Sequence, residues 1–187
     1  QWGPWHRPLS VSRFPWTVLW PCLKWGSQDW LDFEMLLRTY AAHDLDQPQL
    51  SSIWNDLENL PARYGEPFGT AILLTHQSNA NTPEIVIGCG ALAQTKMLSS
   101  CEIKRLFILS DYRGKGGSKV LIHDLVQRAQ VQGYDQAVLS TWQSNHTGLA
   151  LYHTLGFRPV PPFKSHPNPE LIFLGRPLKA SEAQKIS

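Results

Sequence analysis

The stretch from Cys101 to Trp142 constrains this chain more than any other. Cys101–Leu109 reads as a strand, and the loop Arg113-Gly114-Lys115-Gly116-Gly117-Ser118 follows it. Gly116–Gln132 then places Ile122, Leu125, Val126 and Ala129 at i, i+3, i+4 and i+7, with Gly133 where a helix should stop. Ala137–Trp142 is a second strand. A strand–loop–helix–strand unit of this length predicts two parallel strands joined by a right-handed crossover. Glycines in the loop let backbone N–H groups converge, and the helix start adds unpaired donors and a positive dipole end. The loop is therefore a candidate anion site, best suited to a pyrophosphate; the plain alternative is a flexible glycine turn. It lacks the GxxxxGK[ST] of a Walker A loop. It also departs from GxGxxG, because Lys119 stands where the third glycine belongs.

The rest of the chain arranges itself around that unit. Thr17–Lys24 predicts an edge strand interrupted by Pro21. Gly26–Asp29 offers a turn and a cap for a helix whose inner face carries Trp30, Phe33, Leu37 and Tyr40. Ser51–Leu60 fits one short helix with Ile53, Trp54 and Leu57 inward and Pro61 after it. Thr70–His76 and Glu84–Ala93 predict a hairpin through the turn-rich Gln77–Pro83. Thr147–Leu155 predicts a helix capped by Asn145 and stopped by Gly156, before closing strands at Phe157–Val160 and Leu171–Leu174. The expected fold class is α/β: a mixed, mostly antiparallel sheet with one parallel pair and flanking helices. At 187 residues one core suffices. We divide the chain into an irregular Trp/Pro-rich arm (1–16), one domain (17–178) and a polar tail (179–187).

Composition removes several function classes. A net charge of +2 demands neither nucleic acid nor an anionic membrane as partner. Cys22, Cys89 and Cys101 form no CxxC pair, which fits reduced thiols and a cytoplasmic protein. The seven His are scattered and make no HExxH, so no metal is expected. No apolar run reaches membrane-spanning length. The Trp-rich beginning makes a poor signal peptide, since Pro15 and Pro21 break it and no small-x-small site follows.

The segment Tyr112–Leu121, YRGKGGSKVL, resembles the acetyl-CoA loop of GNAT-superfamily N-acetyltransferases, whose pattern is [RQ]-x-x-G-x-[GA]. Arg113 takes the first position, Gly116 the fourth and Ser118 the last, where the family usually has Gly or Ala. Asn145, Ala150, Leu151, Tyr152, Leu155, Gly156 and Phe157 match the family's N-x(4)-A-L-Y-x-x-L-G-F offsets, and Glu102–Leu109 looks like its fourth strand. These blocks cover 101–157 in the right order. Residues 29–93 fit the family's layout by pattern alone, and 1–28 match nothing in it.

The resemblance implies a GNAT fold whose parallel strands splay apart, and acetyl-CoA as co-substrate with no metal. It implies cofactor contacts from Phe107, Ile108 and Leu109, from Arg113, Gly114, Lys115, Gly116, Gly117 and Ser118, and from Asn145. It implies Tyr152 as the general acid for the departing sulfur, Glu102 as the base, and a backbone N–H near Leu109 for the oxyanion. The reaction would be direct acetyl transfer to a primary amine, on a small molecule or a protein; a homodimer is compatible. Each assignment has a plainer alternative: core strand for 107–109, a packed helix tyrosine for Tyr152, an ion pair with Lys104 or Arg105 for Glu102. A non-catalytic acyl-CoA-binding module is the competing function, and a nucleotide-binding domain the third. Between Asp29 and Leu60, Asp29, Asp32, Glu34, Asp44, Asp46, Asp56 and Glu58 face only Arg38. In the family this segment lines the acceptor cleft, so a cationic acceptor is expected, unless those acids are merely a solvated helix face.

Overall fold

The computed structural model describes residues 16–19, 28–43, 45, 48–67, 69–97 and 99–179. Apart from Trp16 and Lys179, the expected arm and tail lie outside these. Strand β1 (Trp16–Leu19) pairs antiparallel with β2 (Gly69–His76), which pairs with β3 (Ile85–Gln94), and that with β4 (Ser100–Ile108). Helix α1 (Gln28–His43) follows β1 in the chain. Beyond β4 come α4 (Gly117–Val131), β5 (Gln136–Trp142), α5 (His146–Thr154), β6 (Arg158–Pro159) and β7 (Leu171–Pro177). The sheet runs β1-β2-β3-β4-β5-β7-β6. Among the described residues its one parallel contact is β4 with β5, as the strand–loop–helix–strand order predicts.

Strand alternation sorts the core into two layers. Ile72, Leu74, Ile87, Cys101 and Ile103 pack under Leu121, Leu125 and Ala129 of α4. Ala71, Leu73, Cys89, Ala91 and Phe107 face the other way, under Trp30, Phe33 and Leu37 of α1. The buried stripe of α1 includes three of the four positions its periodicity marks, and Tyr40 lies half-buried beside it.

The expected single helix over Ser51–Leu60 is two helices, α2 (Ile53–Glu58) and α3 (Leu60–Tyr64). Asn59 breaks the run with an extended φ and caps α3, its Oδ1 accepting from the Ala62 N–H at 3.1 Å. Pro61 thus sits inside the first turn of α3, where its missing N–H costs nothing. Trp54, expected inward, is 45% exposed, while Asp56 is fully buried. The inward side of α2 carries Ile53 and Asp56 with Leu57 packed beside them, so of the three residues expected there Trp54 alone is misplaced.

Two irregularities shape the middle of the sheet. Strands β4 and β5 pair over three positions only, Ser100↔Gln136, Cys101↔Ala137 and Glu102↔Val138, and then part. In the same strand the register to β3 jumps from Ala91↔Lys104 to Cys89↔Phe107, so Arg105 and Leu106 oppose Gly90 alone. This is a β-bulge, and Arg105 takes φ 58° to make it. The bulge reverses the alternation of β4. Cys101 and Ile103 before it, and Leu106 and Ile108 after it, face α4; Lys104, Arg105 and Phe107 all face the α1 layer.

Candidate active site

The glycine loop connects the free end of β4 to α4. Gly114 and Gly116 have φ 72° and 87°, conformations that favour glycine, and a Cβ on either would meet nothing within 4 Å. That open side is where a ligand would approach. Gly117 is different: a Cβ there would lie 2.8 Å from Ile108 Cδ1 and Leu74 Cδ2, so its small size seats the helix on the sheet. No side chain caps the start of α4, whose N-cap is Gly116. Its first N–H groups and dipole are therefore available to an anion. Arg113 braces the loop, its Nε donating to the Ile108 carbonyl at 2.7 Å and its guanidinium lying 5.5 Å from the Phe107 ring centre. Lys115 turns back onto Asp111, donating to its carbonyl at 3.0 Å. Ser118 follows in the first turn of α4, half-buried.

The Leu109 N–H donates to the Ile87 carbonyl at 2.9 Å, toward β3. Because antiparallel hydrogen bonding alternates along a strand, the backbone of Ile108 is turned the other way, toward the gap left by β5. Of the three residues expected to offer backbone to a ligand, Ile108 alone has its N–H directed there, and its carbonyl on that side accepts from Arg113 Nε. The expected oxyanion donor at Leu109 itself is engaged with β3.

Asn145 caps α5 as the sequence predicts. Its Oδ1 accepts from the Gly148 N–H at 3.0 Å and its Nδ2 donates to Thr141 Oγ1 at 3.0 Å, tying the helix to β5. Both ends of its amide are thus occupied within the protein. Tyr152, in the last turn of α5, packs edge-on against Phe157 with ring centres 6.2 Å apart. Burial, with a smaller push from Tyr40, raises its phenol to about 12. Tyr40 of α1 in turn lies on Phe107, ring centres 5.4 Å apart, so α1 packs over the end of β4.

Glu102 holds the last paired position before the strands part. Its Oε1 accepts from Lys164 Nζ and, at 3.4 Å, from Ser140 Oγ. The expected alternative partners, Lys104 and Arg105, go instead to Asp56. Arg105 Nε donates to Asp56 Oδ2 at 2.8 Å and to the Tyr64 hydroxyl oxygen at 3.2 Å, and its Nη2 donates to Ser52 Oγ at 2.8 Å. The Tyr64 hydroxyl donates to Asp56, and Arg63 Nε reaches Asp56 Oδ1 at 3.0 Å. Burial works to raise the Asp56 carboxyl, but Arg105, Lys104 and these hydrogen bonds outweigh it and hold it below its ordinary value. Burial pushes the Tyr64 phenol far up, so it stays neutral.

Asp56 is therefore no part of an acidic rim. Glu34 pairs with Arg38 one turn on, and Asp32 accepts from Gln28. Asp44 and Asp46 lie outside the described residues. Two of the seven acids read from the sequence, Glu34 and Asp56, are thus paired with cations. Lys104, Arg105, Lys164 and Ser140 were not singled out as site residues. Lys164 lies 62 residues from Glu102, and no local pattern marks a bulge at an arginine. Burial also pushes the Cys101 thiol up to about 12, which fits a packed strand residue rather than a nucleophile. Among the described residues, no helix is long and apolar enough to cross a membrane, and no cluster of three metal-ligating side chains occurs.

An uncapped helix start behind an open glycine loop, beside strands that separate and turn backbone into the gap, is the architecture of an acyl-CoA-binding α/β transferase. The residues fit that ligand: the loop has room and donors for its pyrophosphate, and Ile108 has backbone for its amide-rich arm. A family model for the acetyltransferase (GNAT) family matches residues 29–157, and the chain belongs to that family. It is an N-acetyltransferase that uses an acyl-CoA donor. An uncharacterized N-acetyltransferase of Schizosaccharomyces pombe is 27% identical over 147 residues, 79% of this chain and 87% of that protein. Human N-acetyltransferase 8 is 32% identical over 83 residues, and the match spans 42% of this chain and 37% of that protein. In fold, the chain is similar to an acetyltransferase from Salmonella typhimurium solved with acetyl-CoA. That likeness has a TM-score of 0.64 at 16% identity and covers 92% of this chain and 99% of that one.

Proposed function

We propose that this enzyme transfers the acetyl group of acetyl-CoA directly to a primary amine, with Glu102 and Tyr152 acting across the gap between β4 and β5. The observation that carries the reading is the parting of the strands at Glu102↔Val138, with the glycine loop at the end of β4 and α5 directly after β5. Acetyl-CoA supplies a thioester whose carbonyl is attacked and whose sulfur leaves. Arg113 and Gly114 to Ser118 hold the pyrophosphate, with Lys115 adding charge. Ile108 takes the amide-rich arm between Phe107 and Leu109. Asn145 contributes by fixing α5.

Glu102 receives the amine's proton. Both of its protein partners sit on Oε1, which leaves Oε2 for an amine or a relaying water. The Ile108 N–H, rather than that of Leu109, is the oxyanion donor the backbone alternation favours. A phenol at about 12 stays protonated throughout the working range. Full transfer of its proton to a thiolate of ordinary pKa near 8.5 would run uphill by roughly 5 kcal/mol. Tyr152 therefore acts mainly by donating a hydrogen bond to the departing sulfur as charge builds on it. The buried, protonated thiols of Cys89 and Cys101 suit a reducing compartment, and we place the enzyme in the cytoplasm.

The test is CoA thiol release from acetyl-CoA across a panel of primary amines, with product masses. Release that depends on the amine, and an amide product 42 mass units heavier by the exchange of hydrogen for acetyl, supports the reading. CoA binding without amine-dependent release would favour the binding module instead. Glu102→Gln should lose least rate at low pH, where a protonated Glu is no base either, and most at higher pH, flattening the acid limb of the pH–rate profile; an unaltered profile would remove Glu102 as the base.

A further inference from the structure

The charge cluster beside the gap does not balance. Asp56 is wholly buried, and its oxygens are already taken by Arg105, Tyr64 and Arg63. Lys104 Nζ comes only to 3.5 Å of Asp56 Oδ2, too far for a good hydrogen bond. Among the described residues, three cations here are largely withdrawn from water: Lys104 (side chain 12% exposed), Arg105 (8%) and Lys164 (34%). Two carboxylates face them, Asp56 (0%) and Glu102 (12%). Arg63 is 55% exposed, so solvent serves its charge. One cation remains in excess, and by distance it is Lys104. Lys104 keeps an ion pair with Asp56 at 3.5 Å, the longest of that carboxylate's contacts, and a cluster withdrawn from water with more cations than carboxylates is unfavourable, so this position suits an incoming anion. Burial and the neighbouring Arg105 push the Lys104 ammonium down to about 8, which still leaves most of it charged at pH 7.

We infer that Lys104 sets acceptor specificity: it binds the carboxylate of a free α-amino acid whose amine is presented to Glu102. The inference rests on the acetyl-transfer reading above and names its acceptor. Glu102 and Lys104 are two residues apart in β4, before the bulge, so their Cα atoms are about 7 Å apart on one face. The amine and carboxylate oxygens of an α-amino acid are roughly 3 Å apart. Two hydrogen bonds of about 2.8 Å and two flexible side chains span the remainder. A polyamine would instead bring a second positive charge against Lys104 and Arg105. The bulge at Arg105 makes the site possible, because it puts two consecutive basic residues on one face: Arg105 hydrogen-bonds Asp56, and Lys104 shares that carboxylate only at 3.5 Å.

The experiment compares kcat/KM for matched pairs differing only in the carboxylate: L-phenylalanine and phenethylamine, L-leucine and 3-methylbutylamine, L-lysine and cadaverine. A charge-assisted contact of this kind predicts a preference of about 10- to 100-fold for the amino acids. Lys104→Met should collapse that ratio to within about threefold, chiefly through KM for the amino acid, and Lys104→Arg should keep much of it. The CoA-dependent rise in melting temperature checks that each variant is folded, and Lys104→Gln serves should Lys104→Met fail that check. Equal rates on the paired substrates, or a preference that survives removal of the Lys104 charge, overturns the inference while leaving acetyl transfer standing. Release from no amine at all, with CoA still bound, overturns both.

Discussion

Replacing Asp56 by Asn tests whether the buried ion cluster holds the acceptor side of the fold together. The substitution keeps the shape and removes the one anion between Arg105 and Lys104, whose side chains are 8% and 12% exposed. Those two cations then face each other across a site shut off from water. Breaking a buried pair from one side typically costs about 3–5 kcal/mol, since the surviving charge is left uncompensated. We add nothing for Arg63, whose exposed guanidinium water can serve. For a chain of this size each kcal/mol moves the melt by roughly 2–4 °C, so Asp56→Asn should lower Tm by about 6–20 °C near neutral pH. The sign with pH follows from the depressed carboxyl. The unfolded chain binds that proton more tightly than the folded one, so the stabilisation is present above the ordinary value of 3.8 and is lost as pH falls through the lower, folded one. Thermal melts followed by circular dichroism between pH 7 and pH 2 should show the wild type losing this contribution below about pH 4. The variant, already without it, should have a shallower slope there. A variant melting within 2 °C of wild type at pH 7, with the same acid profile, would refute the claim that Asp56 carries the cluster.

The loop glycines should separate by role. Gly116→Val, at φ 87° with open space around it, should weaken CoA by more than about tenfold and leave the sheet intact; normal CoA titration would place the anion elsewhere. Gly117→Ala should instead cost about 1–3 kcal/mol of stability by crowding Ile108 and Leu74, read as a Tm lower by about 2–12 °C. Tyr152→Phe should lower kcat about 10- to 150-fold with CoA affinity little changed, the loss of one hydrogen bond to developing charge. Because the phenol stays protonated to about 12, the wild type should show no Tyr152-dependent fall in rate up to pH 10; a fall with a midpoint near 10 that Tyr152→Phe abolishes would contradict the burial of that hydroxyl.

Much of the architecture was legible because its signals are local. Ile122, Leu125, Val126 and Ala129 repeat at helical spacing, Gly133 and Gly156 end their helices at φ 84°, and Asn145 caps by reaching three residues on. A strand, a glycine loop, a helix and a second strand leave little choice but a parallel pair. The sequence went wrong where neighbours along the chain are not neighbours in space. Asp56 reads as one more acid on a helix, yet it is fully buried because Arg105, 49 residues on, meets it there. Trp54 reads as core, yet the inner face of α2 is set by that same ion cluster. The tertiary structure alone decided that β4 and β5 part after Glu102, that a bulge turns Lys104 and Arg105 to one side, and that Lys164 reaches Glu102 across the gap. Spacing fixes which residues can share a helix or a strand face. Which charges end up withdrawn from water together depends on how the layers pack.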